Sequence, residues 1–333
     1  MMKTVSIFGA GSWGTALATV VAEKGLDVTL WCRNADYASK IAEIRENRSY
    51  LPDVSLKESI TPTTDLELAA RSELLVCVIP STGLRKFSEN LAQAKPAKES
   101  IILSCTKGIE RETGHRMSEI ISDHLPDNVT AVLSGPNHAE EVGKRLATAT
   151  VIGCKNEKIA NSLQSIFSLP WFRTYTSTDV AGIELGGAAK NIYAICAGIS
   201  DGLGHGDNAK SALVTRGLAE MTRLGIALGG QAETFQGLSG VGDLIVTCYS
   251  AYSRNNRVGK LIGQGEKIDD IVNSMNMVAE GVPNTKSFYE SIKRNGVEAP
   301  IIDEAYSVIN DNKNPAQAME DLLARSPRPE TYQ

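Results

Sequence analysis

Val5-Ser6-Ile7-Phe8-Gly9-Ala10-Gly11-Ser12-Trp13-Gly14 decides the fold. A short apolar run ends in G-x-G-x-x-G, and Thr15–Lys24 continues with helical periodicity. Gly9 permits a tight turn, Gly11 lets a pyrophosphate reach the backbone, and Gly14 lets the helix pack on the strand. The helix N-terminus behind the loop favours an anion. The motif alone is weak. Between a strand and a helix, with a second strand ending near Arg33, it reads as the first βαβ unit of a dinucleotide-binding fold.

The alternation continues outward from this unit. Apolar runs stand at Val5–Phe8, Val28–Trp31, Leu74–Ile79, Ile101–Ser104 and Thr130–Leu133, then at Thr148–Gly153 and Trp171–Thr176. Helical periodicity fills Gly83–Ala92 and Glu157–Phe167 between them. This predicts an α/β, Rossmann-type parallel-sheet domain over residues 1–178, with helices on both faces. After about Asp179 strand-like runs become scarce. Ala181–Ser200 and Ala209–Leu228 read as buried helices, followed by helices over Ile268–Met275, Asn284–Asn295 and Ile302–Ile309. Gly182, Gly186 and Gly187 weaken helix propensity but admit a close backbone, which places this helix at the domain junction. A mostly α-helical C-terminal domain is expected over 179–325, with a frayed tail at 326–333.

Composition excludes several classes. The chain has 333 residues, a net charge of −5, 42% apolar residues and 22% charged ones. That argues against disorder and against a general nucleic-acid binder. No apolar run approaches the roughly 18 residues of a membrane-spanning helix, and the N-terminus is too short in apolar residues for a signal peptide. The six cysteines form no C-x-x-C pair, and the four histidines do not cluster with them, so no metal site is expected. Reduced thiols in a cytoplasmic protein are the reading.

The end of the second strand bears on the cofactor. An NAD-preferring site carries an acid about 20 residues beyond the loop, where this chain has Trp31-Cys32-Arg33-Asn34. Arg33 can pair with the 2′-phosphate of NADP instead, so NADP(H) is expected, with NAD(H) also accepted.

Several phrases together resemble the bacterial-type NAD(P)-dependent sn-glycerol-3-phosphate dehydrogenase family. They include Ser104-Cys105-Thr106-Lys107-Gly108-Ile109-Glu110, Ser134-Gly135-Pro136-Asn137-His138-Ala139 and Gly182-Ile183-Glu184-Leu185-Gly186-Gly187-Ala188-Ala189-Lys190-Asn191. Asp201-Gly202-Leu203-Gly204, Leu238-Ser239-Gly240-Val241-Gly242-Asp243-Leu244, Ser253-Arg254-Asn255 and Val278-Ala279-Glu280-Gly281-Val282-Pro283 follow in the family's order. His138 and His205 depart from it at positions that are usually aromatic, and are read as substituted packing positions. The resemblance implies reversible reduction of dihydroxyacetone phosphate to sn-glycerol 3-phosphate, supplying the backbone of phospholipids.

The residues can be weighed against that chemistry. Lys190 lies among Ala, Gly, Ile and Leu. It is either a buried lysine with a lowered pKa or one that snorkels to the surface. The resemblance makes it the proton donor in reduction and a substrate contact. Lys107 follows a strand at the carboxyl edge of the sheet, where ligands sit, and the resemblance gives it to substrate and cofactor. Asp243 can hold Lys190, bond a substrate hydroxyl or cap a helix. Ser253, Arg254 and Asn255 precede a short helix and offer a hydroxyl, a guanidinium, an amide and free N–H groups to a phosphate. By resemblance Gly135 and Asn137 touch substrate, and Ala139, Val278, Glu280 and Arg254 touch the cofactor beside Gly9, Gly11, Ser12, Trp13, Gly14 and Arg33. A 3-hydroxyacid or 6-phosphogluconate-type dehydrogenase is the alternative. A non-catalytic nucleotide sensor is a distant one, since it has no need of Lys190, Asp243 and Arg254 together. A homodimer is the default for such an enzyme.

Overall fold

The computed structural model describes residues 2–275, 277–327 and 329–330. Arg328 and residues 331–333 of the expected tail lie outside the described residues. Among the described residues there are ten strands: β1 Thr4–Phe8, β2 Asp27–Trp31, β3 Glu46–Asn47, β4 Leu51–Ser55, β5 Ile60–Thr63, β6 Leu74–Cys77, β7 Ile101–Ser104, β8 Thr130–Ser134, β9 Thr148–Gly153 and β10 Phe172–Ser177. Eight form one sheet in the order β10-β9-β8-β7-β6-β1-β2-β5, and β3 and β4 form a separate ribbon. The order turns back at β1. The chain runs outward from β1 through β2 to β5, then returns to β6 on the other side. Such a switch point opens a crevice beyond the carboxyl ends of the strands, where ligands bind in open α/β sheets.

β6 and β7 are buried at every position, as expected for strands covered on both faces. β5 was not expected. It carries Pro62, which breaks a strand pattern in the sequence but is tolerated because β5 is an edge strand. The sheet is not wholly parallel. β9 runs antiparallel to β8, with Leu133 opposite Ile152, and β10 then runs parallel to β9. The segment between β8 and β9 has one helix, Ala139–Gly143, of five residues. A parallel crossover needs a longer connection with a helix laid on the sheet face.

Beyond Ser177 the described residues form no strand. The helix Val180–Gly202 is buried continuously from Gly182 to Ser200, so it is a core helix and not an amphipathic one. Gly187 faces β8, where an added Cβ would stand 2.5 Å from Ser134 Oγ. Gly186 faces the other way, with an added Cβ 2.7 Å from the Ser239 carbonyl. The helices Gly206–Ala227, Asp243–Tyr249, Arg254–Gly263, Gly281–Asn295 and Pro300–Asn310 are among the others of this half.

Its tightest seam joins Val180–Gly202 to Arg254–Gly263. Each helix carries G-x-x-x-G, as Gly198/Gly202 and Gly259/Gly263. An added Cβ at Gly198 would lie 2.1 Å from the Asn256 carbonyl, and one at Gly259 would lie 1.9 Å from the Ile195 carbonyl. The two backbones are in direct contact, so the start of one helix is fixed against the middle of the other. Glu220 makes a second long-range tie. Its carboxylate accepts from the Ile301 and Ile302 amides at 2.9 and 3.1 Å and so caps the helix Pro300–Asn310 from a distant helix.

The halves are stitched by buried polar contacts. Glu184 accepts from Arg116 at 2.7 Å and from the Ser118 amide at 2.8 Å. All six cysteines are buried and unpaired. No described helix is long and apolar enough to cross a membrane.

Candidate active site

The glycine loop divides its three glycines between packing and access. Gly9 has φ +110°, and an added Cβ there would stand 2.4 Å from the Val78 carbonyl. One at Gly14 would stand 1.9 Å from the Gly9 carbonyl. Around Gly11 there is open space within 4 Å. Gly11 is also the N-cap of the helix Ser12–Glu23 and supplies no side chain to its first amides. Donors facing open space at a helix N-terminus suit a pyrophosphate, so the loop fits a dinucleotide. Ser12 is buried and its hydroxyl lies 3.8 Å from Met277 Sδ, which brings the loop against the segment leading to Val278. Trp13 packs on the sheet core. Arg33 is exposed just past β2, at the edge away from the lysines described next.

Lys107, Lys190 and Asp243 meet although they come from the loop after β7, the core helix and a third helix. Lys107 Nζ donates to Asp243 Oδ2 at 2.6 Å, and Lys190 Nζ donates to Asp243 Oδ1. Lys190 also donates to Thr247 Oγ1 at 2.6 Å, and Thr247 passes its own hydroxyl hydrogen to the Asp243 carbonyl at 2.6 Å. Asp243 and Thr247 stand four residues apart on the helix Asp243–Tyr249, which puts them on one face. Sequence reading missed Thr247. The i,i+4 spacing was its only signal, and nothing in the sequence tied that face to Lys190.

Burial governs the electrostatics. It lowers the Lys190 ammonium to about 7; Asp243 opposes the shift and Lys107 adds to it. Burial also raises the Asp243 carboxyl, but the two ammonium groups outweigh it and hold the group below its ordinary value. With Lys190 protonated the cluster carries two cations and one anion, so it then retains one positive charge for an incoming anion.

The expected phosphate cradle forms the start of the helix Arg254–Gly263. Ser253 is its N-cap and accepts from the Asn256 amide at 3.1 Å. Arg254 is exposed and donates to the Val278 carbonyl at 2.9 Å, which brings two expected cofactor contacts together. Asn255 is buried and doubly used: its amide nitrogen donates to Asn191 Oδ1 at 2.9 Å, and its oxygen accepts from the Gly281 amide at 2.9 Å. Val278 is exposed. Glu280 bonds Ser81 across the two halves.

Gly135 and Asn137 lie just past β8. Gly135 has φ +140°, with an added Cβ 3.1 Å from Thr150 Cα, and Asn137 donates to Thr150 Oγ1 at 3.0 Å. Ala139 is buried at the start of the following short helix. His138 stands beside Tyr252, ring centroids 5.9 Å apart. Its Nε2 is buried without a partner, and burial, then Lys190, lower its pKa. A neutral imidazole packed on an aromatic ring matches a packing position. His205 is exposed ahead of the helix Gly206–Ala227, so it is not the packing position the sequence reading made it. Among the described residues no His, Cys, Asp and Glu cluster forms a metal site.

Comparison with known proteins gives a consistent match. The family model for the NAD-dependent glycerol-3-phosphate dehydrogenase N-terminus matches residues 4–160, and that for the C-terminus matches residues 179–320. The glycerol-3-phosphate dehydrogenase (NAD(P)+) of Syntrophotalea carbinolica is 47% identical over 97% of this chain and 98% of its own. That of Bacillus subtilis is 46% identical over 97% of this chain and 95% of its own. The crystal structure of glycerol-3-phosphate dehydrogenase from Coxiella burnetii superposes with a TM-score of 0.94 at 34% identity, covering 97% of this chain and 99% of that one. A ketopantoate reductase family structure from Ralstonia eutropha shares the fold alone, with a TM-score of 0.62 at 14% identity.

Proposed function

This chain belongs to the NAD-dependent glycerol-3-phosphate dehydrogenase family, and we propose from that premise how its residues divide the work. It catalyses the reversible NAD(P)H-dependent reduction of dihydroxyacetone phosphate to sn-glycerol 3-phosphate, which serves phospholipid synthesis. The bound nicotinamide supplies a hydride to the ketone carbon. Gly11 and Ser12 would meet the pyrophosphate at the first helix, with Gly9, Trp13 and Gly14 shaping the loop that holds it. Arg33 meets the adenosine ribose and its 2′-phosphate. Lys107, Ala139, Arg254, Val278 and Glu280 complete the cofactor site.

The chain's own task is to orient, to neutralise and to move one proton. Lys190 gives a proton to the alkoxide oxygen in reduction and takes it back in oxidation. Asp243 and Thr247 fix its ammonium, and burial sets it to titrate near neutrality, where general acid–base transfer is most effective. Lys107 shares Asp243 and adds positive charge on the side of the cluster nearest the sheet. Ser253, Arg254 and Asn255 receive the phosphate, and Gly135 and Asn137 add substrate contacts from the loop after β8. The carboxylate of Asp243 shared by two lysines carries this reading, because it places a proton donor of lowered pKa beside a net positive charge. The division of labour falls at residues 178 and 179. We further propose a cytoplasmic enzyme, supported by its six unpaired thiols, and a homodimer, the default symmetry of soluble enzymes of this kind.

The test is NADPH oxidation with dihydroxyacetone phosphate, run beside unphosphorylated dihydroxyacetone. Turnover with the ester alone, lost by about 10²–10⁴-fold in Lys190→Ala, supports both the substrate and the donor. Equal rates for the two ketones would remove the phosphate cradle. Turnover of hydroxyacids in its place would favour the hydroxyacid dehydrogenase reading.

A further inference from the structure

One pair of contacts across the crevice has no part in the roles above. Ser81 lies in the turn Ser81–Gly83, just past β6, on the other side of the switch point from the glycine loop. Glu280 stands at the start of the helix Gly281–Asn295 in the helical half. The two donors of Ser81 meet the two oxygens of Glu280: the backbone N–H donates to Oε1 at 3.0 Å, and the hydroxyl donates to Oε2 at 2.5 Å. Two parallel bonds fix the plane of a carboxylate as well as its position. Burial raises the Glu280 carboxyl, and the two Ser81 bonds oppose that shift, so they favour the charged form.

The surroundings are packed as one unit. An added Cβ at Gly108 would stand 2.6 Å from Ser81 Cβ and 2.9 Å from Asn284 Oδ1. Asn284, on the same helix as Glu280, donates to the Lys107 carbonyl at 3.3 Å. Thr106 donates to the Ile79 carbonyl at 2.7 Å, which ties the loop after β7 to the turn carrying Ser81. The turn after β6, the loop after β7 and the helix start are therefore packed against one another, and Lys107 is part of that unit.

We propose that Ser81 is a positioning residue for the cofactor, holding the Glu280 carboxylate at the crevice in the orientation that meets the cofactor. This rests on the reading of Glu280 as a cofactor contact. Ser81→Ala removes the hydroxyl bond and keeps the amide bond. Ser81→Thr keeps both donors. The measurement is the NADPH dissociation constant by fluorescence titration of the full chain, together with KM and kcat.

Ser81→Ala is expected to weaken NADPH binding about three- to tenfold, the loss of one hydrogen bond to a charged group in a partly open site. KM for NADPH should rise in step, with kcat and the KM for dihydroxyacetone phosphate within twofold of the parent. Ser81→Thr should restore the affinity. In a Glu280→Ala background, Ser81→Ala should add nothing. Parental affinity in Ser81→Ala, or an effect that adds fully to that of Glu280→Ala, would overturn the proposal while leaving Glu280 as a cofactor contact. Parental affinity in Glu280→Ala would overturn that contact and the proposal with it.

Discussion

Asp243 faces two ammonium groups, and removing it should expose how much of the Lys190 chemistry it sets. Reduction needs Lys190 protonated, so its rate should fall as pH rises through about 7; oxidation needs it neutral and should rise over the same range. Opposite limbs in the two directions, measured as kcat against pH, check this. Asp243 raises the Lys190 pKa and Lys107 lowers it, so Asp243→Asn should move both limbs to lower pH. An unmoved limb would assign the titration to another group. Local sequence left Lys190 open between a buried and a snorkelling lysine and Asp243 open to capping; the resemblance, not the composition of the phrases, gathered Lys190, Lys107 and Asp243 into one site. Thr247 and Ser81 were legible in neither way. An ordinary hydroxyl carries no signal until the fold brings it to a partner, and for Ser81 that partner is 199 residues away.

At the scale of elements, the glycine seam predicts a sharp cost. Gly259→Ala places a Cβ where the Ile195 carbonyl already stands, and backbone cannot step aside as a side chain can. Overpacking of this kind costs about 1–3 kcal/mol or more. The urea midpoint should fall accordingly, and KM for dihydroxyacetone phosphate should rise because the seam carries the cradle at Ser253–Asn255. Glu220 predicts a pH effect. Burial raises its carboxyl to about 7, against the two amide bonds that lower it. A carboxyl with a raised native pKa favours the folded state most at low pH, and the benefit is lost as pH rises toward about 7. Between pH 5 and pH 7.5 the parent should lose more stability than Glu220→Ala, which is less stable throughout because two buried amides lose their acceptor. β3, β4 and β5 were not anticipated, whereas the long helices and seven of the strands were read closely, Glu157–Phe167 to the residue and the core helix within a few. The direction of β9 was not, because strand direction is set by the length and packing of the connection and leaves the strand's own residues unchanged. The short helices Met117–His124 and Asp243–Tyr249 also escaped, although the equally short Ile268–Ser274 was anticipated.

For the whole molecule, Glu184, Asp243, Glu280 and Asn284 each join one half to the other. The chain should therefore unfold in one transition by fluorescence and by circular dichroism. NADPH at 100 times its dissociation constant should add about 2.7 kcal/mol, seen as a higher Tm. Two separated transitions would mean that these ties do not couple the halves. The burial of all six thiols has a consequence of a different kind. Burial pushes each of them above its ordinary value, so the native enzyme presents almost no thiolate to an oxidant or an alkylating agent. Cys32, Cys77, Cys105 and Cys154 lie with the sheet, and Cys196 and Cys248 lie with the helices. The molecule thus carries two sets of silent clocks. Each starts only when its own region opens, and the order in which peptides take up label would read out the order in which the enzyme comes apart.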